Sequence, residues 1–170
     1  MRAFTLIELI ATMAVVGALG SIAASILIAS ISGLMGATTS AQLHTELSIA
    51  LDRIDRELRN IPVDGTASDI APDIDSLTAA SITWSTSNQI SLAGSQLNLT
   101  LGGTSAVLLD DVTAFSVKAF NESNTQMGAS LSGAACDDIR RLLIEITVSR
   151  EGVTERLRTK IYLRCTMAGG

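Results

Sequence analysis

From Phe4 to Met35 the chain is apolar and carries one formal charge, the carboxylate of Glu8. About 20 apolar residues suffice for a helix to cross the hydrocarbon core of a bilayer. This run is longer and free of proline, so it predicts a helix from Phe4 to Ile31 at least. Ala11, Ala14, Gly17, Ala18 and Gly20 suit close approach of neighbouring helices. Gly17 and Gly20 lower helix propensity, which predicts loosening there on assembly, and Gly33 and Gly36 mark the exit from the apolar phase. A carboxylate at a bilayer centre costs about 2.5–3.5 kcal/mol. Glu8 is therefore a candidate functional residue that needs a cationic partner. A cut after Ala3 would provide one: Phe4 would gain a free α-amine, and in a bundle of helices Glu8 could pair with a neighbour's α-ammonium. A secretory signal has a shorter apolar core, and a bare signal anchor would leave Glu8 without a role.

A second pattern follows. Leu43, Leu47, Ala50, Leu51, Ile54, Leu58 and Ile61 recur at three- and four-residue steps, and charged residues fill the gaps. This predicts an amphipathic helix over Ala41 to Ile61, ended by Pro62 and continuous with the apolar helix as one spine. Asp52 and Arg56, and Asp55 and Arg59, lie one turn apart and are expected to pair. Pro62 to Leu77 reads as an exposed polar loop.

From Ser81 onward the patterns are those of strands. Ile82 to Trp84, Gln89 to Leu92, Gln96 to Leu101, Val107 to Leu109 and Val112 to Phe120 alternate in character, with a turn at Gly94-Ser95. Asn121 to Ala135 is rich in Gly and Ser and reads as a loop. A two-residue turn at Glu151-Gly152 would pair Arg150 with Val153. That register sets Leu142 against Ile161, Ile144 against Thr159, Ile146 against Leu157 and Glu145 against Arg158. It also brings Cys136 near Cys165, which would oppose Asp138. A disulfide there would close a loop of about 30 residues, worth roughly 3.5 kcal/mol in the chain-entropy model, and a domain outside the cytoplasm would permit it.

Other chemistry is sparse. Net charge is −5 and aromatics make up 3% of the chain, so no nucleic-acid partner is expected. The sole histidine, His44, lies on the amphipathic helix with no nucleophile arrangement around it, so no enzyme activity is expected. The two cysteines match no zinc motif. Asp64, Asp69, Asp73 and Asp75 are the only candidates for calcium, and their spacing does not fit an EF-hand; neither metal nor cofactor is expected. Trp84 is assigned to the core.

Arg2-Ala3 followed by Phe4-Thr5-Leu6-Ile7-Glu8-Leu9-Ile10 resembles the class III signal of type IV pilins and pseudopilins. In that family a prepilin peptidase cuts before the Phe and N-methylates it. The resemblance implies cleavage between Ala3 and Phe4, with Ala3 standing where the family usually has Gly. Arg53-Ile54-Asp55-Arg56-Glu57-Leu58-Arg59 is similar to a spine segment of J-type minor pseudopilins and their W-type pilus counterparts. The order Leu108 to Phe115, loop, closing hairpin is similar too. The implied fold is α+β and pilin-like: a long N-terminal spine helix packed on an antiparallel β-sheet domain. Residues 1–3 would be leader, 4–35 the transmembrane and assembly helix, 36–61 its amphipathic continuation and 62–170 a globular β-rich domain. The implied function is that of a structural minor subunit in a type II secretion or type IV pilus-like filament. It would be a single-pass inner-membrane protein with a short cytoplasmic N-terminus and a periplasmic or extracellular domain. Its partners would be the prepilin peptidase, other pilins or pseudopilins and the inner-membrane assembly platform. The exposed Asp52-Arg53-Asp55-Arg56-Arg59 face and the Pro62 to Leu77 segment are candidate contacts. The alternatives are a membrane-tethered binding domain exported by the same route, and a major subunit.

Overall fold

A computed structural model describes residues 5–64 and 71–163. One helix, α1 (Leu6–Arg59), opens the chain. It is followed by β1 (Val63–Asp64), β2 (Ala71–Pro72), β3 (Ile74–Thr78), β4 (Ser81–Trp84), β5 (Asn88–Ala93) and β6 (Gln96–Leu101). Next come β7 (Thr104–Leu109), β8 (Val112–Phe120), β9 (Leu131–Ser132), a 3₁₀ turn at Gly133–Cys136, β10 (Arg141–Arg150) and β11 (Val153–Tyr162). The class is α+β, with antiparallel sheets, and the two helical patterns of the sequence are a single helix. The chain divides into two compact units, Met1–Thr39 and Ser40–Gly170.

In the first unit every described side chain before Met35 is exposed. Leu6 and Ile7 are each 76% exposed, and the apolar positions that follow are uncovered by any of the described residues. The helix is unbroken through Gly17, Gly20, Gly33 and Gly36.

The second unit is built on the apolar stripe. Leu43, Leu47, Ala50, Leu51, Ile54, Leu58 and Ile61 are all buried, as their spacing requires, while Ile49, off the stripe, is 65% exposed. Asn60 and Ile61 donate backbone N–H groups to Glu57 and Leu58 three residues back, so the last turn tightens before Pro62 ends it.

The sequence reading expected one sheet; there are two main ones and a short ribbon. β7-β6-β5-β4-β3-β9 forms six strands, β11-β10-β8 forms three, and β1 pairs with β2. The inward side chains of both main sheets, among them Leu77, Ile82, Ile90, Leu97, Leu142, Ile144 and Ile146, join the α1 stripe in one core with Trp84. The final hairpin has the register derived from its turn, from Arg150 opposite Val153 to Leu142 opposite Ile161. Glu151 and Gly152 take φ of +54 and +80, the left-handed pair that a two-residue turn of this hand needs.

Two expected loops are partly strand. Pro62 to Leu77 contains β3, where Ile74 and Leu77 are buried and Leu77 pairs with Ile82. Its acids hid the pattern because Asp73 and Asp75 turn outward to hold the next turn. Asn121 to Ala135 contains β9, which pairs Leu131 with Leu77. It is too short for its alternation to show. The ion pairs also differ in part. Asp55 pairs with Arg59 at 2.7 Å as expected, but Arg53 pairs with Glu57 at 2.9 Å and Asp52 makes no ion pair with Arg56. Glu145 sits opposite Arg158 but takes its hydrogen bond from Arg156, its diagonal neighbour on the same face. Arg150 ties three distant segments together. It donates Nε to Asp111 at 2.7 Å and a fork of two bonds, 3.0 and 3.2 Å, to Glu46 of α1. These carboxylates raise its pKa further.

The stripe makes a direct stability prediction. Leu47→Ala leaves a cavity in the shared core and should cost about 2–5 kcal/mol, whereas Ile49→Ala should stay within about 0.5 kcal/mol. Thermal or denaturant unfolding of the two variants side by side checks this, and equal losses would put the helix on its wrong face.

Candidate functional site

The N-terminal end of α1 holds Glu8, the residue the sequence singles out. Its Oε2 accepts hydrogen bonds from the Thr5 backbone N–H and the Thr5 hydroxyl, both at 3.2 Å. Thr5 is the residue before the helix and Glu8 its third, so the carboxylate reaches back to a backbone donor that the helix leaves unpaired. An acid here also faces the positive end of the helix dipole. The Thr5-x-x-Glu8 spacing is a capping-box pattern, a local signal in the sequence that accounts for Glu8 within its own chain. Both bonds go to one oxygen, so Oε1 stays available. Ala3 and Phe4, the expected cleavage and methylation positions, lie outside the described residues.

The apolar stretch behind Glu8 bonds four of its hydroxyls internally. Thr12 donates to the Leu9 carbonyl, Ser21 to Ala18, Ser25 to Ile22 and Ser30 to Ile26, at 2.8–2.9 Å. Each hydroxyl bonds one turn back along its own helix, so none requires water. By length and composition α1 is able to cross a membrane.

The remaining candidates are dispersed. On the charged face of α1, Arg53 and Arg59 are engaged by their own helix, leaving Asp52 and Arg56 exposed and without ion-pair partners among the described residues. His44 is exposed on the same helix. Asp73 accepts from the Ser85 hydroxyl at 2.6 Å and Asp75 from the Thr86 N–H at 2.7 Å. The two carboxylates thus hold the Ser85-Thr86 turn, whose φ values are +50 and +58. Among the described residues no three acids, histidines or cysteines gather into a metal-binding group; Asp69 and the Asp64 side chain are outside them. Cys136 is fully buried at the end of the 3₁₀ turn. As a thiol its pKa is pushed up, first by burial and then by Asp137 and Asp75. Cys165 is outside the described residues, but the Leu163 N–H still donates to Arg140, at 3.3 Å, just beyond the hairpin strands.

Neither the family models nor the characterised proteins nor the solved structures compared with this chain gave a match.

The cysteines give the second prediction. Peptide mapping of protein taken from its native compartment without reductant should find Cys136 linked to Cys165. Alkylation of both thiols under those conditions would refute the link.

Proposed function

We propose that this chain is a minor structural subunit of a pilus-like filament, of the type II secretion or type IV pilus kind, with a pilin-like fold. It is held in the inner membrane by the first part of α1 and assembles through it. The observation that carries this reading is the exposed, uncharged, apolar stretch of α1 behind Glu8. Among the described residues none covers it, and the hydroxyls of Thr12, Ser21, Ser25 and Ser30 are bonded within the helix, as apolar surroundings favour. The Arg2 to Ile10 signal supports it, as does the order of one helix followed by antiparallel strands. The absence of helix proline and the Arg53 to Arg59 segment favour a minor subunit over a major one. In this reading the β-rich domain lies on the periplasmic side, and the partners are a prepilin peptidase, related subunits and the assembly platform.

Glu8 then has two successive roles. In the separate chain it caps α1; in the filament its free oxygen takes the α-ammonium of a neighbour's Phe4. Each charge offsets the cost of the other in the apolar phase, and the pairing sets the axial stagger of the subunits.

Two measurements test the proposal. Intact-mass analysis of membrane-extracted protein should find a chain beginning at N-methyl-Phe4. A chain starting at Met1, or cut further along the apolar run, would sink the class III reading. Glu8→Gln keeps an acceptor for the Thr5 N–H but removes the charge, while Glu8→Val removes both. Both should insert in the membrane at least as well as wild type, and neither should appear in sheared filaments. If Glu8→Gln assembles at the wild-type level, Glu8 is a helix cap and nothing more.

A further inference from the structure

The sheet β11-β10-β8 has two outer strands, and their free sides differ. β8 is engaged along its outer side: the Val112 and Val117 N–H groups donate to Ser95 and Ala79, and the Ala119 carbonyl accepts from Met127, at 2.9–3.0 Å. β11 pairs with β10 alone. Among the described residues, no backbone group of its 10 residues bonds to anything on the other side. A bare edge of this length is a ready template for another strand.

The side chains along that edge alternate in a definite way. Arg156, Arg158 and Lys160 are exposed on the outer face. Val153 and Leu157, on the inner face, pack against the core yet remain only partly covered, and Glu155 between them is turned to α1, where it accepts from the Ser40 hydroxyl. Arg156 is met by Glu145, whereas Arg158 and Lys160 have no ion-pair partner among the described residues. This row of cations stands in a chain whose net charge is −5. Alternate residues on a strand are about 6.8 Å apart, so a neighbouring strand with carboxylates at every second position would meet the row in step. A second copy is a poor occupant. Two β11 strands related by a two-fold axis would set cations against cations, and β7, the open edge of the other sheet, carries no charge.

We propose that the open edge of β11 is a strand-addition site for an extended segment of another protein. That segment carries carboxylates at alternate positions facing Arg156, Arg158 and Lys160, with apolar residues between them over Val153 and Leu157. Backbone bonds supply the affinity and the alternating side chains the selectivity. The site belongs to the sheet and is the same whatever α1 assembles with.

The test uses full-length protein in detergent micelles and a fluorescent ten-residue peptide alternating Glu and Val. Two further versions of the peptide carry N-methyl groups on alternate backbone amides, one in each phase. Fluorescence anisotropy should show saturable binding of the unmodified peptide and of one N-methylated version, the other being weakened by about tenfold or more. Arg158→Glu with Lys160→Glu should weaken binding by a similar factor, and a hexathymidylate, whose phosphates match the Glu residues of the peptide in number, should not compete. The N-methylated arm leaves the protein unaltered, so it decides the matter even if the double variant folds poorly. Binding that ignores N-methylation, or that the oligonucleotide displaces, would make this a general polyanion surface and overturn the proposal. No binding would overturn it as well, reducing the cations to guards that keep a bare edge solvated.

Discussion

The second unit depends on one row of side chains. Leu43, Leu47, Ala50, Leu51, Ile54, Leu58 and Ile61 bring α1 into a core shared with both sheets. Each sheet has an apolar inner face that must be covered, and the two do not share a strand. Removing the row would therefore do more than expose one helix face, because the sheets would lose the common element on which their inner faces are organised. The Arg150 contacts to Glu46 and Asp111 lie at the rim of this arrangement and add direction more than bulk. They align one end of the last hairpin with the helix and with the start of β8, while apolar burial provides the driving force.

What the sequence disclosed follows from how strongly each element is encoded locally. The helix stripe was legible residue by residue, because the 3.6-residue period and Pro62 leave few alternatives. The last hairpin was legible to the exact pair, because a two-residue turn fixes register and a one-residue slip would turn Ile144 and Ile146 to solvent. β3 was not legible. Its inward residues Ile74 and Leu77 are three apart, with a register shift between Ile74 and Ser76, so strict alternation fails there. The division into two sheets was hidden for a different reason. Pairing between strands far apart in sequence, such as β3 with β9, leaves no trace in local periodicity.

The candidate site was half legible. Composition isolates Glu8, but the search for a distant cation obscured its nearest donors, the amide and hydroxyl of Thr5. The observed cap and the proposed intersubunit pair would draw on the same carboxylate and are separable because they would use different properties of it: one needs an acceptor, the other a charge. The acids around β3 show the converse. A cluster that looks like a ligand set in one dimension resolves into separate turn contacts in three, with Asp73 on Ser85 and Asp75 on Thr86.

The hydroxyls of Thr12, Ser21, Ser25 and Ser30 all point back to carbonyls of their own helix. These bonds travel with the helix. Transferring the segment from one apolar medium to another would therefore break none of these four bonds, so its polar cost lies with the remaining hydroxyl of Ser32 and with a single carboxylate.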